Sequence, residues 1–194
     1  MKHMMKEKMK EMIPRSVTIA AVLLILFGAI IVTPTTTSTS VGGLGARMEF
    51  HVTAYIQRAG EAEPSLWSYH AGVITTIGLN WVEDQLGDSP GADPAKWISL
   101  SSDAGPPSAA WTQLPSEIVT GGLIRVAGAY ASTGNGMWTI SKTFTANATT
   151  VGVQLVGIHW AASGNNNLMW SDLITSVTLN SGDKMLIVAT AIVT

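Results

Sequence analysis

The residue types best suited to acid–base or metal chemistry are three widely separated histidines that follow the N-terminal leader. His51, His70 and His159 match no H-E-x-x-H pattern, and the chain has no cysteine to complete a mixed zinc site. Zinc sites normally draw their His and Cys ligands from short, regular spacings. We therefore interpret these histidines as polar-face or satisfied core residues, and we predict no metal site.

Carboxylates and hydroxyls are spread over loops rather than gathered in catalytic patterns. Asp88, Asp93 and Asp103 could offer oxygen ligands to calcium, but their spacing does not match an EF-hand, so solvated loop carboxylates are expected. Isolated glycine pairs lack the helix start and lysine of a phosphate-binding loop. Three loop serines stand outside the G-x-S-x-G context of a nucleophile elbow: Ser101, Ser102 and Ser181. We expect no catalytic residue, no cofactor and no enzymatic activity.

Tryptophan is unusually frequent, with seven residues spread over every segment after the leader. Such a distribution favours a core or a subunit interface, where large aromatic side chains supply most of the buried area. A carbohydrate-binding surface would also use exposed aromatic rings, and that alternative stays open. The tryptophans are Trp67, Trp81, Trp97, Trp111, Trp138, Trp160 and Trp170.

One glycosylation motif is present. Asn147, followed by Ala148 and Thr149, is an N-x-[ST] acceptor in a segment that is typical of a turn. We predict Asn147 as a glycosylation site if the domain lies outside the cytoplasm.

The clearest element is the segment 48–57, in which apolar and polar residues alternate strictly. This period of two is typical of a half-buried β-strand. The segment follows a flexible linker, so it could also leave its own domain and add to the open sheet of a neighbouring copy. The residues of this candidate donor strand that share the apolar face are Met48, Phe50, Val52, Ala54 and Ile56.

The rest of the domain is predicted as short strands separated by turns. Helical spacing of apolar residues predicts one amphipathic helix over 71–86, and prolines place the loop 101–117 at the surface. The turn 134–136 predicts a hairpin between 123–133 and 137–145, and the turn 180–183 predicts a second hairpin between 177–179 and a central strand, 184–193. The remaining strands are predicted at 66–69, 97–100 and 150–160. The fold class is mainly β, a jelly-roll-like β-sandwich with one short amphipathic helix, preceded by a hydrophobic N-terminal helix.

The N-terminus has the layout of an export signal or signal anchor. A lysine-rich leader of net charge +3, 1–15, precedes the apolar stretch 17–32 and the Thr/Ser/Pro tract 33–40. The positive charge predicts that the leader stays in the cytoplasm and that the C-terminus is exported. The 18 uncharged residues of 16–33 are close to the roughly 20 that a bilayer needs, so cleavage and retention both stay open.

These observations predict three segments: a leader with a hydrophobic signal or anchor at 1–33, a Thr/Ser/Gly-rich linker at 34–47, and a β-sandwich domain at 48–194. From residue 41 onward, six basic residues stand against eleven acidic ones, a net charge of −5. This sign argues against nucleic acid and against an anionic membrane surface as partners of the domain. We expect a protein that is extracellular or at the cell surface, and membrane-anchored if the hydrophobic segment is retained.

Three segments resemble a β-rich domain of phage tail and virion-associated structural proteins. They read AKWISLSSDA at 95–104, LPSEI at 114–118 and GGLIRVAGAY at 121–130. In that family a Tyr-Ile-Ala-Leu-Ser-Thr-Asp strand leads to a Leu-Pro-x-Glu turn and a Gly-Leu-x-Arg-Ala strand. The resemblance covers about residues 72–194 and implies a structural role without catalytic residues.

An exported leader joined to a small β-sandwich resembles, in its architecture, the archaeal surface filament subunits of the thread or pilus kind. That resemblance implies a homopolymer in which a terminal strand of one subunit completes the sandwich of the next. We therefore expect a structural subunit of an extracellular filament or cell-surface assembly. A viral tail-type structural protein and a secreted carbohydrate-binding or adhesion module are the alternatives.

Overall fold

The described part of the chain folds into two five-stranded antiparallel β-sheets and one helix. The structure, a computed structural model, describes residues 48–87, 94–148 and 152–194. The expected hydrophobic helix and the linker lie outside these residues, as do Asp88 and Asp93. The elements are β1 (Met48–Gln57), β2 (Ser65–Ala71), β3 (Val73–Ile74), α1 (Thr76–Gly87), β4 (Trp97–Ser101), β5 (Val126–Ala127), β6 (Ala129–Gly134), β7 (Met137–Thr145), β8 (Val153–His159), β9 (Leu168–Val177) and β10 (Lys184–Val193).

Sheet 1 has the strand order β2-β1-β10-β7-β6, and sheet 2 has the order β3-β9-β8-β4-β5. The pairing is nested, because β1 pairs with β10, β3 with β9, β4 with β8 and β6 with β7. β10 is the centre of sheet 1, as its apolar character on both faces predicted, and it pairs with β1 over ten residues. The sequence prediction of a mainly β chain is therefore confirmed.

The core lies between the two sheets and follows from the period of two in the strands. Phe50, Val52, Ala54 and Ile56 alternate along β1 and are all buried. From sheet 2, Trp170 on β9 packs against Phe50 with ring centroids 4.3 Å apart. Trp170 is 1% exposed, so the prediction of core tryptophans is confirmed for this residue.

Several predicted elements agree closely with the structure. β1 and β7 have the predicted bounds, and the strands expected at 66–69 and 97–100 fall within β2 and β4. The strand predicted at 150–160 corresponds to β8 over Val153–His159, and residues 150 and 151 lie outside the described part of the chain. The β6–β7 hairpin is also confirmed: its turn needs left-handed backbone, with φ of 52° at Asn135 and 73° at Gly136. A Cβ at Gly136 would lie 2.5 Å from the carbonyl oxygen of Val193.

The predicted helix begins later than expected. The first residues of 71–86 instead complete β2 and form β3, which pairs with β9. The hydroxyl of Thr75 accepts a hydrogen bond from the amide of Gly78 at 2.9 Å and caps the helix N-terminus, so α1 starts at Thr76. Leu86, the last apolar residue of the predicted amphipathic helix, is 84% exposed and therefore does not belong to a buried face.

The strand predicted at 123–133 is two strands in different sheets. β5 pairs with β4 in sheet 2, and β6 pairs with β7 in sheet 1. The chain changes sheet at Gly128, where a Cβ would lie 2.6 Å from Ile140 Cγ2. This close approach explains why a glycine interrupts an otherwise continuous pattern.

The second predicted hairpin was wrong. Val177 ends β9 in sheet 2, whereas β10 belongs to sheet 1, so the turn 180–183 connects the two sheets. The carboxylate of Asp183 accepts hydrogen bonds from the amides of Asn180 at 2.9 Å and Ala59 at 2.8 Å. The guanidinium of Arg58 also donates to it at 2.7 Å. These contacts tie the turn to the loop after β1 instead of closing a hairpin.

The loop predicted at 101–117 covers the outer face of sheet 2. Leu114 is 3% exposed and packs on Leu155 and Leu168, and Trp111 borders the same small cluster. The outer face of this sheet is therefore closed by a long loop that carries its own apolar contacts. Within the described ranges, no helix is long and apolar enough to cross a membrane.

Candidate functional site

Three buried polar side chains on sheet 2 form a linear hydrogen-bonded chain. The Oγ of Ser99 on β4 lies 2.8 Å from Nε2 of His159 on β8. The Nδ1 of His159 lies 2.8 Å from Oδ1 of Asn167, which precedes β9. The order hydroxyl, imidazole and amide oxygen is the order of nucleophile, base and orienting group in triad enzymes.

The hydrogen bonds of Asn167 fix the tautomer of the imidazole. Its amide nitrogen donates to the carbonyl oxygens of Ser163 at 2.9 Å and Gly164 at 3.0 Å, so Oδ1 faces His159. Nδ1 must then carry the proton, and Nε2 accepts from the hydroxyl of Ser99. Burial, together with the nearby charge of Arg125, lowers the pKa of His159 to about 3, although the hydrogen bond to Asn167 opposes this shift. The imidazole is therefore neutral at physiological pH.

An ion pair extends this chain towards the loop that covers the sheet. The guanidinium of Arg125 donates from Nη1 to Oδ1 of Asn167 at 3.0 Å and from Nε to the carboxylate of Glu117 at 2.9 Å, and its Nη2 contacts the same carboxylate. The side chain of Arg125 is 8% exposed and that of Glu117 is 18% exposed. This fork fastens the loop before β5 to the segment before β9.

The network is closed to any substrate. Ser99 and His159 are fully buried, and Asn167 is 4% exposed. Gly157 makes the space for them, since a Cβ there would lie 2.9 Å from Ser99 Oγ and 3.0 Å from His159 Nε2. An imidazole with so low a pKa is also a weak general base near neutral pH. The arrangement therefore has the order of a triad but the burial and the basicity of a structural network.

The other sequence candidates do not converge on it. His51 is buried on β1, where its ring stacks on Tyr69, and His70 on β2 is exposed. Asp103 accepts a hydrogen bond from the amide of Gly105 at 2.6 Å within its own loop. Among the described residues, no group of three His, Cys, Asp or Glu side chains could hold a metal ion.

Asn147 lies outside the strands of sheet 1, whereas the candidate donor strand is one of them. Asn147 is exposed, two residues after the end of β7, and its backbone amide donates to the carbonyl of Gly121 at 3.0 Å. Thr149 of its motif lies outside the described residues. The donor-strand residues Met48 to Ile56 form β1, which lies between β2 and β10 of its own chain.

Asp172 is a second buried titratable group, which the sequence prediction missed. It lies on β9 between Trp170 and Ile174 on the face that points to the core, and it is 2% exposed. Burial raises the pKa of Asp172 to about 8, although hydrogen bonds from the amides of Leu173 and Val52 lower it. Its Oδ2 has no hydrogen-bond partner among the described residues. This carboxyl is therefore largely neutral at pH 7.

An apolar cavity of about 480 Å³ opens beside β6 and β7. Buried side chains line it from within: Ile140, Met169 and Trp170. Trp81, Tyr130 and Trp138 line its more accessible part, and Lys96 is the only charged residue among the described residues of the lining. Trp81 stacks on Trp160, with ring centroids 6.1 Å apart, so this wall is held in place.

No protein-family model, curated protein or solved structure matches this chain. A G-x-S-x-G pattern spans 87–91, but it follows a helix, whereas a nucleophile elbow follows a strand. Its serine lies outside the described residues.

The buried network draws on all three segments that resemble the tail-type domain. Ser99 comes from 95–104, Glu117 from 114–118 and Arg125 from 121–130. The Glu and Arg of the Leu-Pro-x-Glu and Gly-Leu-x-Arg patterns were thus the one sequence signal for this network. His159 and Asn167 had no such signal, because both come from other segments.

Proposed function

We propose that the chain is an exported structural protein, the subunit of an extracellular filament or cell-surface assembly, built on a jelly-roll-like sandwich. The basic leader and hydrophobic segment support export, with the N-terminal segment as membrane anchor if it is retained. The nested strand pairing supports the jelly-roll-like description. The Ser99–His159–Asn167 network is buried away from solvent, and this supports a role without catalysis, cofactor or metal.

The observation that carries the proposal is the position of β1. Directly after the Thr/Ser/Gly linker, β1 pairs with β10 along its whole length and with β2 on its other side. A strand contributed by a neighbouring copy would make the same hydrogen bonds and the same core contacts. Exchange of β1 from each copy to the next would be a heterologous, head-to-tail contact, which generates an open filament.

The side chains of β1 give such an exchange its strength. Phe50, Val52 and Ile56 are almost completely buried between the sheets. Each large apolar side chain contributes about 1.5–3 kcal/mol when it is withdrawn from water. A subunit without β1 would expose a groove between β2 and β10. A β1 strand donated by another copy would fill this groove and would dissociate slowly.

A cysteine pair across β1 and β10 tests whether the strand is exchanged. Thr53 and Val188 are directly opposite each other in the β1–β10 ladder and are half-buried on its outer face. Because the chain has no cysteine, every disulfide of the variant with Thr53→Cys and Val188→Cys joins introduced positions, and peptide mapping identifies the disulfides that join position 53 to position 188. In oxidised assemblies, exchanged strands will give a covalent ladder on denaturing, non-reducing gels.

The control is the single variant Thr53→Cys, which can form dimers but no ladder. If the disulfides in assembled material join only residues of the same chain, strand exchange is rejected, but the filament proposal is not. Absence of polymers in electron micrographs and in light scattering of the exported protein would reject the filament.

The aromatic cavity bears on the carbohydrate-binding alternative. Aromatic faces such as those of Trp81, Tyr130 and Trp138 are typical of sugar sites. Sugar hydroxyls also need several convergent polar groups, and among the described lining residues only Lys96, the Tyr130 hydroxyl and the indole N–H groups of the tryptophans are polar, with no side-chain acceptor besides that hydroxyl. The cavity therefore supports a carbohydrate-binding module less well than it supports an apolar ligand.

A further inference from the structure

We propose that the cavity beside β6 and β7 is a binding site for a small apolar anion, with an aromatic or aliphatic body and one carboxylate. This site goes beyond the structural role and does not depend on it. Its volume of about 480 Å³ lies in the range of small-molecule sites, roughly 300–1,000 Å³.

The lining selects the body of the ligand. Ile140, Met169 and Trp170 are each 1–2% exposed and provide a largely apolar inner surface. Trp81 and Trp138 are half-buried side chains of the same cavity. Planar or extended apolar groups gain most from such surfaces, through loss of hydrated area and through stacking on the rings.

Lys96 selects the charge of the ligand. Among the described residues of the lining it is the only charged one, and it makes no ion pair within residues 48–87, 94–148 and 152–194. An ammonium beside an apolar surface attracts a carboxylate, and partial exclusion of water strengthens that attraction. Lys96 precedes β4, and its carbonyl accepts a hydrogen bond from the amide of Gly128 at 2.8 Å, so its backbone is fixed.

The wall that faces solvent is largely in place without a ligand. Trp81 on α1 is stacked against Trp160, with an angle of 16° between the ring planes. Tyr130 on β6 is 64% exposed, so its ring can cover a bound molecule at little cost to the fold. A site with walls already positioned binds more tightly, because less side-chain freedom is lost on binding.

Calorimetric titration of the full-length chain with two matched probes tests this site. The probes are 2-naphthoate and the neutral 2-naphthalenemethanol, which share the apolar body. We expect both to bind, with a dissociation constant on the order of 0.1 mM for the carboxylate. The carboxylate should bind about fivefold more tightly than the alcohol.

Three variants locate the binding. Lys96→Met should remove the preference for the carboxylate and leave the alcohol unchanged. Lys142→Met makes the same charge change outside the cavity and should preserve the preference. Tyr130→Ala should weaken both probes by about fivefold or more, without affecting the fold because Tyr130 is exposed.

Each opposite result overturns the proposal. Absence of naphthoate binding up to its solubility limit would remove the site. Equal effects of Lys96→Met and Lys142→Met would show that binding follows net charge rather than this lining. Unchanged binding in Tyr130→Ala would place both probes elsewhere on the protein.

Discussion

Replacing Asp172 with asparagine is expected to change the stability of the sandwich by an amount that depends on pH. Relative to the natural protein, the variant should gain several kcal/mol of unfolding free energy between pH 4 and pH 8. Asp172 is buried on the core side of β9, and its pKa is raised from 3.8 to about 8. Between these two values the folded state holds a proton that the unfolded state has released. The free energy of unfolding therefore falls as pH rises, by about 1.4 kcal/mol per pH unit.

Asparagine does not titrate, so this loss disappears in the variant. The amide has two N–H donors where the protonated carboxyl has one O–H, and Oδ2 has no partner among the described residues, so the additional buried donor costs about 1–3 kcal/mol. Near pH 4 the folded carboxyl is protonated and the unfolded one is only about half ionised, so the loss through linkage is still small and the variant should be the less stable protein. Its curve should cross that of the natural protein as pH rises towards 8.

Titration of His159 makes the pH dependence of stability different in the natural protein and in the Asp172→Asn variant. Its pKa of about 3 lies below the ordinary 6.5, so it contributes stability above pH 6.5 that is lost as pH falls towards 3. Between about pH 4 and 6.5 the slopes of His159 and Asp172 have opposite signs, and the natural protein should be nearly flat there. Above pH 6.5 the natural protein should lose stability up to pH 8. The stability of the Asp172→Asn variant should rise up to pH 6.5 and then stay constant.

Denaturant unfolding at five pH values between 4 and 8 measures both curves. The matched control is Asp84→Asn, which removes an exposed carboxylate from α1 and should run parallel to the natural protein. If the stability curve of Asp172→Asn ran parallel to that of the natural protein, Asp172 would titrate in the folded state as it does in the unfolded chain.

The same residue shows why part of the fold escaped sequence analysis. β1 was predicted to the residue because every core position in it is apolar. β9 has a comparable ladder with β8, but Asp172 occupies one of its core positions, so its alternation is broken. Acidic residues normally lie on the solvent face of a strand, but this carboxyl lies on the core face. Nothing in the neighbouring sequence indicates that it is protonated. The strand was therefore missed, and its last residue was assigned to a hairpin.

Changes of sheet were the other source of error. At Gly128 and at the turn 180–183, the local sequence has the composition of a strand or of a hairpin turn. What decides the path is contact with distant residues, such as Ile140 beside Gly128 and Arg58 beside Asp183. The buried network has the same character, because it joins side chains from separate segments. Local periodicity predicted the strands well, but it contained no signal for these long-range contacts.

Replacing Arg125 with methionine is expected to destabilise the sandwich by about 3–5 kcal/mol. Methionine removes the only cation that contacts Glu117 among the described residues and leaves that largely buried carboxylate unpaired. It also removes a donor to Asn167, which orients His159. Because the charge of Arg125 helps to lower the pKa of His159, that pKa should rise in the variant, as NMR titration of the imidazole can measure.

A second substitution separates the lost ion pair from lost packing. In the double variant Arg125→Met, Glu117→Gln the unpaired charge is absent, so most of the stability should return in denaturant unfolding. Arg58→Met is the matched control, since it also removes an arginine from an ion pair. The Arg58 side chain is 36% exposed and Asp183 keeps its two backbone donors, so about 1 kcal/mol should be lost. If Arg125→Met cost no more than Arg58→Met, the network would not be what holds the covering loop on sheet 2.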